Sequence, residues 1–238
     1  MAGYSTNFTK RGAYAVNQGT IMDLTAVVDD LVEEAPTIKF KLEQDHEIES
    51  KDAKEAFDDV YVKNKYIKSA EIQGFGVKGA HASITFGPPN IIEDVIGVRM
   101  GGDREACVAA RAKIESILQG SEQWYSKFMF QKEGYAVAFT FAVPVLLLAA
   151  FTVIHLVLTP ESFEKDKVPV LLPLEWLIIW AVLVVLKGRM FPKIVFDIGK
   201  SASVGDSARS WRNVVGIVIA IGVPVAVAGG LIVERLLK

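Results

Sequence analysis

Residues 66–86 read YIKSAEIQGFGVKGAHASITF, and the choice between two readings of this stretch decides the fold. Gly74, Gly76 and Gly79 spell G-F-G-V-K-G, the string by which a strand, a tight turn and a helix N-terminus bring backbone amides up to a dinucleotide pyrophosphate. The residues after the string do not have a helical pattern. Ala80, Ala82, Ile84 and Phe86 alternate with His81, Ser83 and Thr85, the period of a strand with one buried face. The glycines therefore join two strands of a hairpin, and no nucleotide site is expected here.

The flanking segments extend the same pattern. Upstream, Ile38, Phe40 and Leu42 alternate with Lys39, Lys41 and Glu43 as a one-faced strand, and 94–100 forms another, ended by Gly101 and Gly102. Ile21, Leu24, Val27, Val28, Leu31 and Val32 recur at helical spacing, with Thr20 and Asp23 as a T-x-x-D start and Pro36 as the stop. A shorter helix is read over 50–59, with Ala53, Ala56 and Phe57 inward. Asp103 caps a last helix to about Leu118, whose Cys107, Ala110, Ile114, Ile117 and Leu118 share one face. The order α, β, α, β, β, β, α predicts an α+β domain over 20–121, a largely antiparallel sheet with covering helices, preceded by a flexible arm at 1–19.

Beyond a juxtamembrane linker helix at 122–133, composition changes. Three apolar runs, 135–158, 168–186 and 214–233, reach roughly 36, 28 and 30 Å as helices, against a hydrocarbon core of about 30 Å. They predict an all-α transmembrane region of three helices over 134–238. Lys187, Arg189, Lys193, Lys200, Arg209 and Arg212 make 187–213 the most basic connection, which places it and the N-terminal domain in the cytosol. Trp124, Tyr125 and Trp176 are expected as anchors at the membrane interface. His155 and Glu175 are read as a polar pair inside the membrane, and Gly222, Ala226 and Gly230 as a helix-packing stripe. Ile194, Phe196 and Ile198 alternate like a strand, so the basic loop is expected to dock on the α+β domain or on anionic lipid.

Catalytic patterns are absent from the sequence. Gly199, Lys200 and Ser201 look like the end of a P-loop, but Ile194 stands where the first glycine is required. His46, His81 and His155 have no partners at metal-ligand spacing, and the single cysteine, Cys107, excludes an intrachain disulfide. Glu43, Asp45, Glu47 and Glu49 lack the glycine turn and distal glutamate of an EF-hand and read as a solvated edge. No cofactor, metal or enzymatic activity is expected.

Residues 1–133 hold 16 Lys and Arg against 21 Asp and Glu, a balance that argues against nucleic acid as a partner. The expected partners are the lipid bilayer and either a second copy or another protein. These readings combine into one expectation: a multi-pass inner or plasma membrane protein whose cytosolic α+β domain binds a protein or small ligand and couples it to an assembled bundle, for sensing, scaffolding or recruitment. An oligomeric membrane effector or channel subunit is the alternative, and a membrane-bound enzyme without a recognisable motif comes third.

Overall fold

A computed structural model describes residues 4–87, 95–127 and 189–217. Two units are distinguished, Met1–Gln131 with Pro192–Asp206, and Lys132–Phe191 with Ser207–Lys238. In the second, 207–217 is helical and the Arg212 Nη1 donates to the Met190 carbonyl at 2.6 Å.

The first unit runs in the order β1 (Tyr4–Lys10), β2 (Tyr14–Asn17), α1 (Gln18–Val32), β3 (Thr37–Leu42), β4 (Glu47–Ser50), α2 (Ala53–Asp58), α3 (Val60–Asn64), β5 (Ile67–Phe75), β6 (His81–Phe86), β7 (Ile96–Gly102), α4 (Arg104–Ser121) and β8 (Ile194–Asp197). Six strands form one sheet in the order β1-β7-β6-β5-β3-β4, every pair antiparallel. A second, two-stranded sheet pairs β2 with β8 in parallel. The mixed α and β region with an antiparallel sheet is thus present as the sequence predicts.

One face of the large sheet is covered. Helix α1 packs on β5 and β6, α4 on β7 and β1, and the two helices lie against each other. Between them the core holds Ile21, Leu24, Val28, Phe40, Ile72, Ile84, Phe86, Val98, Met100 and Ile114, all buried. Burial of such side chains stabilises the fold by about 1.5–3 kcal/mol each. Cys107 is in the same core, where desolvation pushes its thiol up and leaves it unreactive.

Helix ends show how local chemistry moved some boundaries. Thr20 does not cap α1: Asn17 does, its Oδ1 accepting from the Thr20 backbone N–H at 2.8 Å and the Thr20 hydroxyl at 3.0 Å. Helix α1 therefore starts three residues earlier than the T-x-x-D pattern implies, and it ends at Val32, where Glu33 turns left-handed at φ 58°. Asp103 caps α4 as expected, accepting from Glu105 and Ala106 at 3.0 and 3.1 Å. Tyr4–Lys10, assigned to a loose arm from sequence, forms β1. Tyr4, Thr6 and Phe8 are half-buried at the sheet margin, so the alternation is real but only weakly apolar.

The glycine-rich string is the turn of the β5–β6 hairpin, with a short 3-10 turn at Val77–Gly79. Its glycines serve packing: a Cβ on Gly74 would lie 2.8 Å from Val28, and one on Gly76 would collide with the Val32 carbonyl. The last turn of α1 rests on bare backbone there.

The three-helix transmembrane region is not upheld. Among the described residues no helix is long and apolar enough to cross a membrane. Helix α4 has 18 residues, but Arg104, Glu105, Arg111, Lys113 and Glu115 give it a charged outer face. The runs at 135–158 and 168–186, and all of 214–233 except 214–217, lie outside the described residues. The assignment as a multi-pass inner or plasma membrane protein with a cytoplasmic N-terminal domain rested on those runs, and no described helix supports it.

Gly76→Ala is expected to lower the stability of the chain by about 2 kcal/mol, as overpacking against backbone does. Gly120→Ala in α4, with open space around it, should be neutral or stabilising by about 0.5–1 kcal/mol. Urea midpoints measure both.

Candidate functional site

Opposite the helices the large sheet presents a polar face. Directly paired residues in antiparallel strands share a face, so the register fixes which side chains meet. Arg99 on β7 pairs with Asn7 on β1 and with Ser83 on β6. Gly97 and Gly101 stand two residues to either side of it, aligned with Thr9 and Thr85 on one flank and with Ser5 and His81 on the other. Arg99 is exposed, and among the described residues it has no carboxylate or other hydrogen-bonding partner. Its neighbours are hydroxyls, an amide and two glycines.

The glycines shape this patch differently. A Cβ at Gly97 would meet nothing within 4 Å, leaving a depression beside the guanidinium, whereas the His81 ring lies over Gly101. His81 Nδ1 is 3.1 Å from the Gly79 carbonyl oxygen. Phe75, paired with His81, is 68% exposed and closes that end of the patch with an aromatic ring.

Further along the sheet the charges are matched. Glu71 Oε1 accepts from Gln73 at 2.5 Å and from the Ser83 hydroxyl at 3.2 Å, so its carboxylate is already engaged. Lys39 pairs with Glu49 at 3.1 Å, and the Glu49 carboxylate raises the lysine above its usual value. Glu47 stands opposite Lys41, and Asp45 lies 3.7 Å from Lys68. The acidic cluster is in this way largely neutralised along the β4 edge. Among the described residues no group of His, Cys, Asp and Glu is arranged to hold a metal.

A cleft of about 530 Å³ opens between the start of α1 and the end of α4, lined by Asn17, Thr20, Asp23, Ser116, Ser121 and Glu122 among others. Small-molecule sites bury their ligands against apolar walls, and this lining is polar. Asn17 and Thr20 are bonded to each other, Ser121 donates to Leu118, and Glu122 accepts from Ser126 at 2.6 Å. The cleft fits solvent better than a ligand. Tyr14, buried and bridged to Glu122, has its phenol pushed up to about 12 by desolvation and then by the Glu122 carboxylate.

The segment Pro192–Asp206 belongs to this unit. Besides β8, its Ser201 hydroxyl accepts from the Ile67 N–H at 2.7 Å in a buried position. Gly199, at φ +52°, passes so close to α3 that a Cβ would lie 2.5 Å from the Val62 carbonyl. The P-loop-like string is thus a structural clamp, and the Lys200 ammonium lies 4.6 Å above the Tyr66 ring.

Of the other basic-loop residues, the Lys193 carbonyl accepts from Tyr14 N–H at 2.9 Å, Arg189 and Arg209 are exposed, and Arg212 bonds Met190; Lys187 lies outside the described residues. Trp124 is 68% exposed, while Tyr125 is buried, packs edge-on against it and donates to the Pro192 carbonyl at 2.8 Å. His155, Glu175, Trp176, Gly222, Ala226 and Gly230 lie outside the described residues. Sequence reasoning did not single out Arg99. A lone arginine alternating with Val98 and Met100 reads as an ordinary solvated strand position, and only the register reveals its isolation from acids.

No family model matches the chain, and neither a curated protein nor a solved structure is significantly similar to it.

Ser201→Ala leaves the buried Ile67 N–H without a partner and should cost about 1–3 kcal/mol in equilibrium unfolding. Tyr14 favours its neutral form in the folded state, so its contribution is complete below the unfolded value of about 10 and is lost as pH rises toward 12. Tyr14→Phe should flatten the decline of stability between pH 10 and 12, read as the thermal midpoint at each pH.

Proposed function

We propose that the α+β unit is a binding module, without catalytic activity of its own, that takes an acidic segment of a partner protein on the open face of its sheet. The observation that carries this reading is Arg99: an exposed guanidinium, without a carboxylate partner among the described residues, whose strand neighbours are Asn7, Ser83, Gly97 and Gly101. An incoming carboxylate meets a planar five-donor cation that no carboxylate among the described residues pairs with, flanked by the hydroxyls of Ser5, Thr9 and Thr85. Arg99 is exposed on a sheet face, an arrangement that suits a protein surface better than an enclosed small molecule.

The rest of the sheet supplies selectivity. Lys39 is paired with Glu49, and Glu71 accepts from Gln73 and Ser83, whereas Arg99 on β7 has no such partner among the described residues. Phe75 at the margin offers an aromatic contact to an apolar residue flanking the acid.

A fluorescent oligo-glutamate peptide serves as the probe. Arg99→Gln should weaken its binding at least tenfold, since a hydrogen bond to a charged group contributes about 1.5–3 kcal/mol. Arg99→Glu should abolish it, and affinity should fall as salt is raised. Equal affinity for the unsubstituted chain and Arg99→Gln would remove the basis of this reading.

A further inference from the structure

The large sheet has two edges of opposite character. The β4 edge is four residues long, carries the exposed Glu47 and Glu49, and is preceded by a turn with Gln44 and Asp45 at φ 64° and 57°. Short length, charge and irregular entry are the features by which sheets discourage further pairing. The β1 edge has none of them. Tyr4–Lys10 pairs with β7 over seven consecutive residues without a register shift, contains no proline, and has a single charge, at its end. That charge, Lys10, is held by Glu115 at 3.1 Å.

We propose that β1 is the interface through which a second copy of this chain adds, antiparallel about a two-fold axis at Asn7. The strand is complementary to itself in that register. Asn7 faces Asn7, Ser5 faces Thr9 and Thr6 faces Phe8, so hydroxyls and amides meet on the open face and the aromatic row continues on the covered one. Lys10 faces Tyr4 of the second copy, which brings an ammonium beside an aromatic ring and keeps the two lysines at opposite ends. No like charges oppose each other anywhere along the strand. Pairing does not depend on the role of Arg99, although it would bring two Arg99 residues onto one continuous face, about 14 Å apart across three strand spacings.

Disulfide trapping reads the register directly. Ser5, Asn7 and Thr9 are exposed, and the native Cys107 is buried, so it does not compete. Oxidised full-length Asn7→Cys should migrate as a covalent dimer on a non-reducing gel, because its two sulfurs meet at the axis. Ser5→Cys alone and Thr9→Cys alone should remain monomeric, their equivalent positions being about 13 Å apart, while a mixture of the two should cross-link. The proposal is overturned if Asn7→Cys stays monomeric, if Ser5→Cys or Thr9→Cys alone cross-links as readily as Asn7→Cys, or if their mixture does not.

Discussion

The last turn of α1 lies on peptide backbone, at Gly74 and Gly76, where any side chain would strike Val28, Val32 or the Val32 carbonyl. This close approach sets the height of α1 above the sheet, and with it the depth of the layer that holds Leu24, Ile72 and Ile84. Helix α4 packs beside α1 on the same layer, so its distance from β7 and β1 is set as well. The chain then leaves α1 through the left-handed Glu33 and enters β3 directly beside β5. Two missing side chains thus fix the geometry of the covered face, because dense packing passes a displacement on to neighbouring side chains.

The open face is shaped by charge. On the β5, β3 and β4 side, each acid has a nearby base or donor: Glu49 has Lys39, Asp45 has Lys68, and Glu71 has Gln73 and Ser83. On the β6, β7 and β1 side a single guanidinium stands among hydroxyls. Exposed pairs of the first kind contribute little to stability, about 0–1 kcal/mol each, but they cancel one another's field. The sheet face thus divides into a half whose acids are engaged by bases or neutral donors and a half whose guanidinium has no carboxylate partner among the described residues.

The parts of this fold legible in the sequence are those with strong alternation or strong caps. Ala82, Ile84 and Phe86 announced β6, Ile38, Phe40 and Leu42 announced β3, and Asp103 marked the start of α4. Strand β1 was hidden because its inward row, Tyr4, Thr6, Phe8 and Lys10, is only half-buried at an edge and carries little apolar signal. The start of α1 was misplaced because two residue types suited to capping, Asn17 and Thr20, stand three apart, and the asparagine took the role. The three-helix transmembrane region is the part of the reading that the structure does not uphold: a membrane span requires a helix both long and apolar, and no described helix meets both conditions. Of the candidate site nothing was legible, since Asn7, Arg99 and Ser83 come together only through strand register.

Ser201 and Ile67 are bonded across 134 positions of sequence, and β2 finds its parallel partner in Ile194–Asp197. Order of synthesis therefore matters to this molecule. Residues 1–127 leave the ribosome with the six-stranded sheet complete in sequence, yet β2 and the Ile67 amide wait for a segment some 65 residues later, about 3–13 s at ordinary elongation rates. During that interval the newborn chain carries β2 without its parallel partner and the Ile67 amide without the Ser201 hydroxyl.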